Sequence, residues 1–292
     1  MSMINKVPAS AGAEWLLGAF ALLRKAPLAL GVLGVLWGLL SMLAVQAMAV
    51  DVTLGIVLQL GLALLGPFLF AGLLWAVREV EQDRPALPAH LFHAVRKEHA
   101  IDLLLTLLPQ IVVALVMGFL LFVMIGPAEL QKLAEVVARL QQVAQAGGQP
   151  DPELVRSLPV GRLFLWMLLL FAAVIAMSLF TFVAVPEILF GGRSGLQAMS
   201  NSFRACLHNA PALIVFLVLL LISLLVISIG VQLIAMVVHL AAGAAAGMFV
   251  SNVLLMGVVM PMMAGAVFHA WRQMLGGGAT AAPTGEQGHF EA

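Results

Sequence analysis

The fold class this sequence predicts is an all-helical integral membrane protein, six spans arranged as three parallel repeats. Of its 292 residues, 63% are apolar and 10% charged, against about 25% charged in soluble domains, which is too little polar surface for a water-soluble globule. The apolar residues gather into six runs of the length a helix needs to cross the hydrocarbon core, about 20 residues. One short pattern then recurs at the opening of each pair of runs: Phe20–Pro27 (FALLRKAP), Phe92–Ala100 (FHAVRKEHA) and Phe203–Pro211 (FRACLHNAP). Self-similarity of this kind describes an architecture. Each run must be helical, because a backbone in lipid has to satisfy its own hydrogen bonds. The runs lack the alternation of a barrel strand.

The first repeat, residues 10–80, opens on a surface helix. Trp15, Leu16, Ala19, Phe20 and Leu23 fall at helical spacing ahead of Arg24 and Lys25, as in a helix lying in the headgroup layer with its basic end against anionic lipid. Spans one and two follow at Pro27–Met48 and Val52–Ala76. Span one exceeds the 7–15 apolar residues of a signal peptide. The second repeat, residues 86–190, opens on Leu91, Phe92 and Val95 ahead of Arg96 and Lys97, with spans Ala100–Met124 and Val160–Val185. The third, residues 194–273, opens on Leu196, Met199 and Phe203 with Arg204 nearby, and keeps only His208 of the basic pair; its spans are Pro211–Val237 and Ala244–Ala270. Together these make one transmembrane domain, residues 1–275, with a Gly/Ala/Pro-rich, disordered tail at 276–292.

A second mark recurs in the returning spans, where Pro67, Pro186 and Pro261 precede Gly72, Gly191 and Gly265. Proline removes a backbone donor and clashes with the preceding turn, so these spans are expected to bend there. Gly191-Gly192 reads as a hinge before the third surface helix. All three units enter from one side, so the repeats are related by an axis along the membrane normal, and a pseudo-threefold ring of helix pairs is the natural arrangement.

An insertion at 126–159 breaks the symmetry. Within it Leu130, Leu133, Val137, Leu140 and Ala144 form an apolar face over Ala128–Gln145, with Glu135 and Arg139 at i,i+4, and Gly147 to Pro152 ends the helix. This segment either lies on lipid or caps the bundle, or else joins a second copy or a protein partner.

Orientation follows from Lys and Arg counting. Of the 14 such residues, Lys132, Arg139, Arg156 and Arg162 fall on one side and the rest on the other, so both termini are placed in the cytoplasm. The Ala/Leu/Gly richness suits a bacterial inner membrane.

Candidate chemistry is sparse. Gly192-Arg193-Ser194-Gly195 and His269 match the serine motif and last-span histidine of rhomboid-type intramembrane proteases, but Ser194 follows the end of span four and no glycine-rich packing motif follows His269. The seven histidines (His90 and His93 share a helical spacing) come with no Cys or carboxylate set of the kind zinc needs. No cofactor or catalytic residue is expected, and no basic block suits nucleic acid. Glu187, just after Pro186, is the one acid close to apolar sequence and is placed near the interface, with Arg193 or Arg204 as partner. Mid-span polar groups are neutral, Gln59, Gln110 and Gln232 among them; without a charged core there is no proton relay, and most of these groups read as interhelical glue.

Around Val185-Pro186-Glu187-Ile188-Leu189-Phe190, then Ser194 to Ala198, Ser202-Phe203 and Asn209, the chain resembles uncharacterised bacterial six-span proteins of the YciC-like family and the membrane domain of glycerophosphoryl diester phosphodiesterases. Lys6-Val7-Pro8-Ala9 before Trp15 and Phe20 is similar to the start of a proteobacterial branch. The resemblance covers residues 5–273 and implies the six-span fold. Phosphodiesterase activity in that family lies in a separate soluble domain, so no catalytic residue carries over.

The sequence therefore predicts a non-enzymatic inner-membrane protein that binds anionic membrane lipid or protein partners in envelope organisation or assembly. The alternative is a transporter or channel for an apolar or amphiphilic solute, with the three prolines as flexing points and a polar cavity holding Gln59, Gln110 and Gln232. An intramembrane serine protease is a distant third.

Overall fold

The computed structural model describes residues 4–95, 99–145 and 158–276. Among these residues the chain is helical, with no strand. In chain order the helices are α1 (Ala11–Lys25), α2 (Pro27–Val50), α3 (Val52–Glu81), a 3-10 helix (Pro88–Val95), α4 (Ala100–Leu105), α5 (Leu108–Ile125), α6 (Pro127–Gln145), α7 (Val160–Thr181), α8 (Ala184–Gly191), α9 (Gly195–His208), α10 (Ala210–Ala242) and α11 (Ala244–Met274). Six stretches are long and apolar enough to cross a membrane: α2, α3, α4 with α5, α7 with α8, α10 and α11. The tail after Gly276 and the segment Gly147 to Pro152 lie outside the described residues.

Turn chemistry sets the hairpins. At the first, Asp51 caps α3, its Oδ1 accepting from the Leu54 N–H at 2.7 Å, which satisfies a donor that the helix start leaves free. At the last, Gly243 takes φ 88° between α10 and α11, a conformation L side chains avoid.

The chain divides into two compact units: residues up to Thr106 with those from Phe180 onward, and Leu107–Leu179. The divisions fall where spans three and four are interrupted, at Thr106-Leu107 before Pro109 and at Phe182-Val183 before Pro186. Both prolines sit in the first turn of the helix that follows, where no N–H is needed. By contrast α3 and α11 run helical through Pro67 and Pro261.

In the larger unit α11 is the central helix: half of its most apolar window is buried, 50% against 22% for α3 and for α10. It packs on α1, α2 and α10. Since lipid tails are as apolar as leucine, close backbone approach stabilises such contacts more than removal from water does. Gly34 and Gly38 of α2 supply that approach; a Cβ on Gly34 would lie 2.3 Å from the Met256 carbonyl oxygen and 2.9 Å from Cδ of Pro261.

Two of the three glycines that follow the prolines behave alike. A Cβ on Gly265 would sit 3.0 Å from Ala19 of α1, and one on Gly72 would sit 2.5 Å from Cα of Leu91 in the 3-10 helix. Gly191 instead makes room for the Glu187 carboxylate, with Oε2 2.7 Å from where its Cβ would be. Gly192 closes α8 as a left-handed C-cap, φ 62°.

Two expectations for the surface segments are corrected. The apolar face of α1 packs on protein: Trp15 is 0% exposed, its ring lies 5.9 Å from Phe216 and 6.3 Å from Phe182, and Ala11, Leu16, Ala19 and Leu22 are buried with it. Apolar spacing alone does not separate a face covered by lipid from one covered by helices. The second segment forms a 3-10 helix, not an α-helix. Its Leu91 is buried against α3.

The smaller unit holds α5, α6 and most of α7. Trp166 of α7 donates its indole N–H to the Met117 carbonyl of α5 at 2.9 Å. Gly126 takes φ 83° and Pro127 opens α6. On α6 Val136 is buried and Val137, on the apolar face, is 44% exposed.

Candidate functional site

The most elaborate polar arrangement lies where α3, α8 and α11 end. Glu187 of α8 is 2% exposed. Its Oε1 accepts from Nδ2 of Asn201 on α9 at 3.0 Å, and its Oε2 accepts from the Trp271 indole of α11 at 2.8 Å. Nε of Arg193 stands 4.0 Å from Oε1, the loosest of its partners. Buried acceptors are costly unless donors of this kind meet them. Arg204, the other partner considered, is exposed and forms no ion pair among the described residues.

Aromatic rings wall this cluster. Phe190 meets Trp271 at 5.4 Å, Phe268 at 5.9 Å and Trp75 at 6.0 Å. The Arg78 guanidinium lies 4.8 Å above Phe190, a cation–π contact. The donors on the carboxylate come from α9 and α11, so the cluster joins those helices to α8. The sequence singled out Glu187 but not Trp271 or Arg78, whose separation along the chain hides the contact, and it offered Asn201 only as a local cap, where the structure gives it to Glu187.

A second joint ties down the N-terminal segment. Asn209, 1% exposed, accepts from the Val7 N–H at 2.8 Å and donates from Nδ2 to the carbonyls of Asn5 and Ala205, both at 3.0 Å. Trp15 donates its indole N–H to Gln273 at 2.8 Å. Beside Asn209, Cys206 is buried, and desolvation pushes its thiol up to about 12, only partly offset by a hydrogen bond with Ser202. Such a thiol is inert at neutral pH.

The headgroup candidates divide. Arg24, Arg204 and His208 are exposed, whereas Lys25 is paired with Asp83 at 2.6 Å. Arg96 and Lys97 lie outside the described residues. On α9 the exposed arc carries Leu196 and Leu207 together with Arg204 and His208, while Ala198, Met199, Ser202, Ala205 and Cys206 fill the buried arc. On α1 exposed Leu17, Ala21 and Arg24 share an arc opposite the buried one. Each helix thus docks one face on protein and turns a leucine–arginine face outward.

Of the three glutamines, Gln59 and Gln110 are exposed on α3 and α5, and Gln232 lines a cleft of about 740 Å³ between α10 and α11 with His239, Ser251 and Asn252. Gln59 and Gln110 do not line that cleft. No set of three His, Cys, Asp or Glu side chains suited to a metal occurs among the described residues.

No family model, curated protein or solved structure matches the chain. The protease pair is placed as follows: Ser194 is the exposed residue before α9 and makes no side-chain cap bond, and His269 of α11 lies against Gly18 of α1, where a Cβ would come 2.6 Å from the imidazole.

Proposed function

We propose that this chain is a non-enzymatic, multi-pass protein of a bacterial inner membrane that binds anionic lipid at its cytoplasmic face and serves envelope organisation. One observation carries the reading: α1 and α9 each bury one arc in the bundle and expose an opposite arc of leucine and arginine. Leucine enters the acyl boundary while arginine meets lipid phosphate, the division of labour of an interfacial helix. Each basic residue near an anionic leaflet contributes about 1 kcal/mol, so Arg24 and Arg204 together give about 2 kcal/mol of preference.

The recurrence of the opening pattern in the sequence supports this reading. Each returning span carries the surface helix of the next repeat: α3 the 3-10 helix, α8 helix α9, and α11 helix α1. Two of the three seats use the glycine after the proline, and at the third Gly191 gives its space to Glu187, which reaches α9 through Asn201. The Glu187 cluster then sets the angle at which α9 meets the headgroups. The resemblance to YciC-like proteins is compatible with this role and adds no chemistry.

Lipid analysis of the purified protein by native mass spectrometry tests the proposal. Phosphatidylglycerol or cardiolipin should be retained by the native chain and depleted in the Arg24→Gln/Arg204→Gln double variant. Retention of zwitterionic lipid alone would defeat it.

A further inference from the structure

The cleft between α10 and α11 shares no residue with the leucine–arginine arcs. Its walls are one stripe of each helix: Gln232, Met236 and His239 at turn spacing on α10, and Met248, Ser251 and Asn252 on α11. The two helices touch close to their turn, where a Cβ on Gly247 would lie 2.9 Å from Cβ of His239. From there the polar positions run inward, His239 to Gln232 covering about 10 Å at 1.5 Å per residue.

These groups form a line of hydrogen-bonding capacity inside a membrane span. Gln232 Nε2 donates to Ser251 Oγ at 3.2 Å, which leaves the Gln232 carbonyl and the Ser251 hydroxyl hydrogen for another partner. Asn252 packs its buried Oδ1 against Gly38 of α2, out of reach of the cleft, so the side-chain groups left for an occupant are those of Gln232 and Ser251. Hydrocarbon cannot supply what these groups lack. Apolar Met236, Leu240, Met248 and Leu255 complete the lining, and the size falls within the 300–1,000 Å³ typical of small-ligand sites.

Charge decides the class of occupant. The lining holds no Asp, Glu, Lys or Arg, and its one titratable side chain, His239, stands at the turn end, so beyond it a phosphate would meet no cation and an ammonium no anion. We propose that the cleft binds an uncharged glycerolipid, a diacylglycerol. Its ester carbonyls accept from the Ser251 hydroxyl and the Gln232 amide, its free hydroxyl donates to the Gln232 amide oxygen, and its chains lie along the methionines and leucines.

The test uses the full chain in phosphatidylcholine nanodiscs doped with a diacylglycerol that bears a photoreactive diazirine on its acyl chain, with peptide mapping after illumination. Adducts should concentrate within residues 232–255. They should fall by about tenfold, the value of one hydrogen bond, in Gln232→Leu, and also in Met236→Trp, which fills the cleft. Both side chains are exposed, and an unchanged unfolding midpoint confirms the fold of each variant. On the unmodified protein, unlabelled diacylglycerol should compete and phosphatidylglycerol should not. Adducts spread evenly over the spans, or equal competition by phosphatidylglycerol, would overturn the assignment and leave the arginine reading standing.

Discussion

The indole N–H of Trp271 donates to Oε2 of Glu187 at 2.8 Å across 84 residues of chain. This bond, with that from Asn201 to Oε1, locks the end of α11 to α8 and α9. Burying an acid so completely is costly unless its acceptors are filled, so the helices that supply the donors cannot separate without stranding it.

Removing the carboxylate should therefore cost more than the packing volume alone. Glu187→Leu takes the acceptor away from the half-buried Trp271 and Asn201 donors, at about 1 kcal/mol each. Glu187→Gln keeps one acceptor oxygen and should fall between Leu and the native chain. Thermal unfolding in detergent checks the order, and a Leu variant as stable as the native chain would contradict the joint.

The glycines should split by what surrounds them. A Cβ at Gly12 would lie 2.1 Å from the Ala212 carbonyl oxygen, and one at Gly72 2.5 Å from Cα of Leu91. Gly12→Ala and Gly72→Ala should both destabilise, since backbone must shift. Gly61 and Gly118 have nothing within 4 Å, and alanine there should raise stability by up to about 1 kcal/mol through helix propensity. Unfolding midpoints of the four variants decide the matter.

Cys206 supplies a pH dependence. Burial raises its thiol from an ordinary value of 9.0 to about 12, so the folded state holds a proton that the unfolded state releases. The stabilisation is complete below pH 9.0 and is lost as pH climbs toward 12. Relative to Cys206→Ala, the native chain should lose midpoint as pH rises through that window. At pH 8 only about one thiol in ten thousand is ionised, so maleimide should react at the rate of unfolding.

Orientation can be read by labelling. In a Cys206→Ala background, a membrane-impermeant maleimide applied to spheroplasts should modify Lys132→Cys on α6 and spare Arg84→Cys beyond α3. Lys132 is exposed. The reverse pattern would invert the topology and place the arginine arcs on the outer leaflet.

The six spans were legible because length and apolar character are local properties, and the structure places them within a few residues of where the sequence does. The recurrence of proline and glycine was legible too, but its use was not. Nothing local says that Gly265 receives Ala19 or that Gly72 receives Leu91. Pro109 interrupts span three in the way Pro186 interrupts span four, yet it stood unremarked inside a continuous apolar run. Trp15 fitted a lipid-facing pattern and turned out to be fully covered by protein, because in a membrane protein both surroundings ask for the same residues. The cleft was invisible for the opposite reason: Gln232, His239, Ser251 and Asn252 are common polar residues until two helices bring them together.

The central claim is that Arg24 and Arg204 hold anionic lipid. It is tested most directly by the unfolding midpoint in nanodiscs of phosphatidylglycerol against phosphatidylcholine, at low and high salt. The account predicts a higher midpoint in phosphatidylglycerol, reduced by salt screening and lost in Arg24→Gln/Arg204→Gln. Equal midpoints in the two lipids, or a difference that survives loss of both arginines, would contradict it.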